Sequence, residues 1–273
     1  MMKISFDVVM KSGQQDVDMD YAIDTLSGTA QVTCLIAEGI LNQKVIKRRT
    51  SANEIRAVLK QSFKSSYGQN FDIILHNEEH IKIMGKISRT VFSEVMRYFI
   101  SEALYIESQQ VSPRAEAIIA SLSEIEDGLV ERIRNPLQEM HQITLQSGFN
   151  VELNYKRPSD EFKIITLTQD TARNITQSEI EKNAIDITAA ITRYNSRTGN
   201  GRLLLPGEDK TVAFGFYEKM INVTAIQKRR ISANLHHNTA LRQEDYTHLS
   251  IKVKKVKVLS GEIIKYLVMK VND

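Results

Sequence analysis

The sequence predicts an α+β protein in two parts: a small N-terminal sheet with a helical segment, followed by a small β-barrel. Three observations carry this reading. Apolar and polar residues alternate in short runs near the N-terminus and again after residue 184, as in half-buried strands. Between residues 88 and 147 the apolar positions recur every three or four residues, which is the helical period. At 273 residues the chain is long for one hydrophobic core, so two domains are expected. They are placed at 1–170 and 183–273, with 171–182 as a linker poor in apolar residues.

The composition, 42% hydrophobic and 25% charged, belongs to ordinary globular proteins and not to disordered ones. No run of about 18 apolar residues is present, so no membrane partner is expected. The opening Met1-Met2-Lys3-Ile4-Ser5-Phe6-Asp7 starts like a strand and contains no signal-peptide core. The single cysteine, Cys34, permits neither an intramolecular disulfide nor a cysteine-based zinc site. It falls in an apolar run, where a buried structural thiol is expected. This usage suits a reducing cytoplasm.

Element by element, Lys3 to Met10 reads as a strand and the stretch from Asp20 or Ser27 to Asn42 as a helix, with Leu26, Ala30, Cys34, Ala37 and Leu41 on one face. Ile55, Ala57, Leu59 and Phe63 alternate with polar residues, Tyr67 to Asn70 supply a turn, and Phe71 to Leu75 return as a hairpin partner. Val91, Phe92, Val95, Met96, Phe99, Ala103 and Leu104 form an apolar helical stripe. Ser112-Pro113 caps the next helix, whose stripe runs Ile118, Ile119, Leu122, Ile125, Leu129 and Ile133. Pro136 should break or kink it, and Gly148 should end the helical region. A second hairpin is expected over 149–155 and 162–168, turning at Arg157-Pro158-Ser159-Asp160.

In the C-terminal part, Ala184 to Tyr194 is a β-branched strand with Ile185, Ile187, Ala189 and Ile191 on one face. Asn195 to Gly201 turns the chain into Arg202–Leu205, and Pro206-Gly207-Glu208-Asp209 turns it into Thr211–Phe216. A helix is expected over 219–236. A hairpin follows, Leu249–Val258 with Glu262–Val271, in which the alternation slips between Lys254 and Lys255 as at a bulge. This order of three strands, a helix and two strands resembles the OB-fold over about 90 of the 273 residues. The resemblance rests on element order alone, and an SH3-like barrel fits the same pattern. OB-folds commonly bind oligonucleotides on the face of strands 2 and 3 with flanking loops.

Charge supports that implication. Residues 176–273 hold 16 Lys+Arg against 10 Asp+Glu, a net of +6, while residues 1–175 come to −3. A local basic surface attracts polyanions whatever the total. Arg193, Arg197, Arg202 and Lys210 lie on or near the first three barrel strands. Lys228, Arg229, Arg230, Lys252, Lys254, Lys255 and Lys257 form a second group. Tyr194, Phe214 and Phe216 offer stacking faces, although Phe214 and Phe216 share a phase that points them inward. Arg197, Arg202, Lys210 and Arg230 are the expected phosphate contacts and Tyr194 the expected stacker.

Other constellations point to structure. His76-Asn77-Glu78-Glu79-His80 departs from His-Glu-x-x-His and reads as a surface loop after a strand. Asp16, Asp18 and Asp20 begin like an EF-hand loop, but Tyr21 stands at its glycine position and Ser27 at its bidentate glutamate. Gly199-Asn200-Gly201 lacks the ending of a phosphate loop and reads as a hairpin. His236, His237 and His248 have no cysteine near them to complete a metal site. With no nucleophile elbow and no assembled triad, the sequence leans away from an enzyme without deciding the matter, and no metal or cofactor is expected. A cleft gathering His76, His80 or the aspartates at 16–20 would point to an enzyme without a linear motif. The function expected is non-catalytic binding of nucleic acid or another anionic partner by the barrel. The alternative is an assembly subunit that oligomerises, or binds another protein, through the helical region.

Overall fold

A computed structural model describes residues 1–50, 53–64, 66–156 and 161–272. The chain forms two units, one of residues 1–104 with 108–176 and one of residues 105–107 with 177–273.

The first unit is built on β1 (Met2–Met10), whose alternation places Ile4, Phe6, Val8 and Met10 on one buried face. The chain continues through α1 (Met19–Asn42), β2 (Ile55–Lys64) and β3 (Tyr67–Leu75). Then come α2 (Glu78–Ile87), α3 (Arg89–Ala103), α4 (Pro113–Ser121), α5 (Glu126–Met140) and α6 (Gln142–Ser147). β4 (Val151–Lys156), β5 (Glu161–Leu167) and α7 (Gln169–Thr176) complete the unit. The sheet order is β2-β3-β1-β4-β5, antiparallel throughout, so the first strand is central. Cross-strand pairs Phe6–Phe71 and Phe6–Tyr155 bring aromatic rings together, the first stacked at 5.4 Å. Such pairs stabilise a sheet by a few tenths to about 1 kcal/mol each.

Several expected boundaries move for local reasons. Asp18, not Asp20 or Ser27, caps α1, its carboxylate accepting from the amides of Asp20 and Tyr21. Capping satisfies amides that have no partner within the helix. The expected turn at Tyr67–Asn70 is instead the first half of β3, and Ser66 at φ 60° takes the left-handed turn position. The expected stripe from Ile118 to Ile133 is split, α4 ending at Ser121 and α5 starting at Glu126. Pro136 sits buried inside α5 without ending it. Across from it, a Cβ on Gly28 of α1 would lie 2.3 Å from the Met140 amide and 2.6 Å from the Pro136 carbonyl. Glycine is therefore what lets the two helices cross backbone to backbone. The turn expected at 157–160 lies outside the described residues. The segment read as a linker carries α7, with Thr171, Ala172, Asn174 and Ile175 buried, and then a strand.

The second unit comprises β6 (Ser178–Ile180), β7 (Ile185–Tyr194), β8 (Gly201–Leu204), β9 (Val212–Phe216), α8 (Ala225–Asn238), β10 (Leu249–Val258) and β11 (Ile263–Val271). Five strands close into a barrel in the order β7-β8-β9-β11-β10 and back to β7, while β6 pairs with β10 outside the ring. β9 and β11 run parallel and the other barrel neighbours antiparallel. Ile191, Leu203, Phe214, Ile251, Val253, Tyr266 and Val268 fill the interior, and Ile231 of α8 joins them. The helix begins at Ala225, capped by the Thr224 hydroxyl, and so is later than the expected 219. Asn234 on its buried face accepts from the Ile191 amide at 2.8 Å, beside the irregular register between Ile191 and Arg193.

The slip expected at Lys254–Lys255 is absent. Alternation runs through β10, with Ile251 and Val253 facing the barrel core while Val256 and Val258 pack with Ile264 in a separate cluster. The register shifts lie opposite Lys252/Val253 and Val256/Lys257, where β11 carries the extra residues. A strand with apolar residues on both faces imitates a phase slip when read as a string of letters.

Candidate functional site

Strand direction decides which cations meet. The C-terminal ends of β7, β9 and β11 share one end of the barrel with the N-terminal ends of β8 and β10. That end holds the loop 195–200, the segment 217–224 and the last residues of β11. In the loop, the Asn195 carboxamide accepts from the Arg197 amide at 3.0 Å and the Gly199 amide donates to the Asn195 carbonyl at 2.8 Å. Gly199 has φ 78°, and a Cβ there would strike Met220 Sδ and the Phe216 ring. The two segments are thus held against each other, with Arg197 exposed on the first.

From α8, Lys228 Nζ donates to the Met220 carbonyl at 2.9 Å and Arg230 Nη1 to the Val271 carbonyl at 3.2 Å, while Arg229 is exposed. Lys252 of β10 lies directly opposite Lys270 of β11, both exposed, with Asp186 of β7 on its other side. Like charges paired across strands cost a few tenths of a kcal/mol or more. Lys254 Nζ stands 4.6 Å from the ring centroid of Tyr217, which is 45% exposed. Ile221 is 89% exposed and Ile226 63%. Basic, aromatic and aliphatic groups therefore share one solvent-facing end.

The remaining expected contacts are placed elsewhere. Tyr194 is half-buried and stacked on Phe214 at 6.2 Å, and burial pushes its phenol pKa up. Arg202 is buried, donating through Nε to Thr211 Oγ1 and through Nη2 to the Thr211 carbonyl, both at 2.7 Å. Arg193 is its cross-strand neighbour. Lys210 is exposed in the connection between β8 and β9, at the opposite end. Lys255 and Lys257 both pair with Glu181, whose carboxyl is held below its ordinary pKa chiefly by the hydrogen bond from Lys257.

Sequence reading missed Tyr217 and Lys270, and also Lys219, which is exposed in the segment 217–224. Tyr217 follows two inward-facing phenylalanines and continues their run of aromatics, yet it lies beyond the end of β9 and turns outward.

The first unit uses its notable residues structurally. Asn77 caps α2, accepting from the amides of Glu79 and His80, so the histidine segment is a helix start and not the expected loop. His80 is buried with Nε2 2.8 Å from Asn42 Oδ1, while His76 is exposed. Cys34 is buried, and desolvation pushes its thiol up to about 11. Among the described residues no cluster of three His, Cys, Asp or Glu side chains could hold a metal ion, and no helix is long and apolar enough to cross a membrane. No family model, curated protein or solved structure matches the chain.

Proposed function

We propose that the barrel is an OB-like, non-catalytic binding module that contacts nucleic acid, or another anionic partner, through the end bearing Arg197, Arg229, Lys252, Lys254 and Tyr217. The helix inserted between the third and fourth barrel strands supports the OB-like reading. The carrying observation is the exposed Tyr217 ring beside Lys254, next to the opposed pair Lys252 and Lys270. Cations answer phosphates and an exposed ring offers a base a stacking face. Arg202 and Tyr194 are left out of this contact set because the barrel itself uses them. Assembly through the helical region has less support. Among the described residues, no large apolar side chain between 88 and 147 is strongly exposed, and the stripe from Val91 to Leu104 is buried within its own unit. The single, buried cysteine is in keeping with a cytoplasmic setting.

The test is binding of the whole chain to fluorescent single- and double-stranded oligonucleotides across a salt series. Micromolar binding that weakens steeply with salt is expected. Arg197→Ala with Arg229→Ala should flatten the log–log salt slope by about 0.7 per lost contact on a single strand. Tyr217→Ala should weaken binding by about 1 kcal/mol or more without changing the slope. Arg202→Ala should lower the melting temperature instead. Absence of binding at low salt would overturn the proposal.

A further inference from the structure

We infer that the first unit contains a binding site for a small, uncharged apolar molecule, separate from the barrel end. A cavity of about 350 Å³ opens between α1 and the sheet. Its floor is Val8 and Phe71, both buried in the sheet. On α1 the lining residues Ile23, Leu26, Ser27 and Ala30 are spaced by three, four and seven, so one helix face supplies a whole wall.

Two of the lining residues, Ala30 and Ala57, are small and leave room for the cavity. Ala57 occupies the β2 position between Ile55, which is fully buried, and Leu59, which is 61% exposed. A larger side chain at Ala57 or Ala30 would fill the space. At the mouth, Ile23 is 49% exposed, so this helix and strand leave apolar surface in water on both sides of the opening. Apolar surface of this kind favours an apolar occupant.

Lining chemistry narrows the ligand. Among the described residues no ionisable side chain lines the cavity, so a charged headgroup would find no ionic partner in its walls. The hydroxyl of Thr29 donates to the Thr25 carbonyl at 2.7 Å. Ser27 Oγ accepts from Gln31 Nε2 at 3.3 Å, which leaves its own proton to donate. The site therefore suits an aliphatic chain carrying one neutral acceptor, such as an acyl ester or amide. A cavity of roughly 150 Å³ holds benzene, so this one takes a chain of about ten non-hydrogen atoms.

The experiment is titration of the whole chain with the neutral fluorophore N-phenyl-1-naphthylamine, followed by displacement. Saturable emission is expected, with methyl octanoate displacing the probe about tenfold better than octanoate, a difference of about 1.4 kcal/mol. Ala30→Leu should abolish the signal. Ala57→Val, a smaller addition, should weaken it and decides the matter should the first variant fail to fold by circular dichroism. Ser27→Ala should retain the probe and lose part of the preference for the ester. The inference is overturned by an absence of saturable emission, by emission that survives both filling variants, or by equal displacement by the carboxylate. Signal that disappears as the protein self-associates would assign the cavity to a second copy and would equally overturn it.

Discussion

The two units differ in how deeply they bury charged groups. In the first, Asp7, Glu126 and His141 are fully buried. Asp7 accepts from the Asn154 amide group at 3.0 Å and has Lys156 at 4.0 Å, and Glu126 accepts from the Tyr98 hydroxyl at 2.7 Å. In the barrel the filled interior is apolar, and lysines of β10 and β11 stand on its exterior. A buried polar group is tolerated only when matched, so each one restricts its surroundings to a single arrangement. An exposed cation imposes no such restriction, and an opposed pair such as Lys252 and Lys270 works slightly against the strands that carry it. The difference teaches that the first unit builds fully buried carboxylates into its structure. In the barrel unit, by contrast, Arg202, Lys228, Arg230, Lys255 and Lys257 make internal contacts, and it is the exposed cations, such as Arg229 and Lys252, on which the proposed contact rests.

Three substitutions sharpen or break this contrast. The largest effect is expected from Gly28→Val, because the new side chain meets backbone atoms of α5 that cannot rotate away. A loss of more than about 3 kcal/mol is expected in denaturant unfolding of the first unit. Near-normal stability would show that the α1–α5 crossing is not close packed.

Next is the pH dependence carried by His141. Burial holds its imidazole down to about 4 from the ordinary 6.5, only partly offset by the hydrogen bond to the Leu137 carbonyl. The folded state therefore binds fewer protons than the unfolded chain between those values. Stability from this group is complete above about pH 6.5 and is lost as pH falls towards 4, by up to roughly 3 kcal/mol. In melts from pH 7 to pH 4, His141→Gln should reduce that dependence. An unchanged slope would place the acid sensitivity elsewhere.

The smallest effect is that of Lys270→Gln, which relieves the repulsion with Lys252. A gain of a few tenths of a kcal/mol in barrel stability is expected, together with weaker oligonucleotide binding at low salt. Reduced stability with unchanged binding would mean that Lys270 serves the barrel and not a partner.

Much of the architecture was legible in local pattern. The strand period predicted β1, the β4–β5 hairpin, and β7 and β9, while Ser112-Pro113 and Gly148 marked helix ends as their backbone chemistry requires. Phe214 was correctly read as pointing inward. Patterns with two physical explanations were misread. In β10 a second apolar face imitated a bulge. At Asn77 an asparagine before two glutamates, taken as loop chemistry, was a helix cap whose acids lie favourably near the positive end of the helix dipole. The candidate site was less legible, because Arg197 and Arg202 differ only in phase: one lies on a turn and the other inside a hydrogen-bonded arrangement with Thr211.

By itself, the sequence determined the fold class, the closure of a small barrel from five strands and the excess of positive charge within it. Periodicity, capping and net charge depend on neighbours a few residues away or on simple sums. Only the tertiary structure decided which cations face solvent together, which aromatic ring is exposed and where a cavity opens beneath α1. Those outcomes depend on strand direction and on side chains from distant segments meeting across closed surfaces.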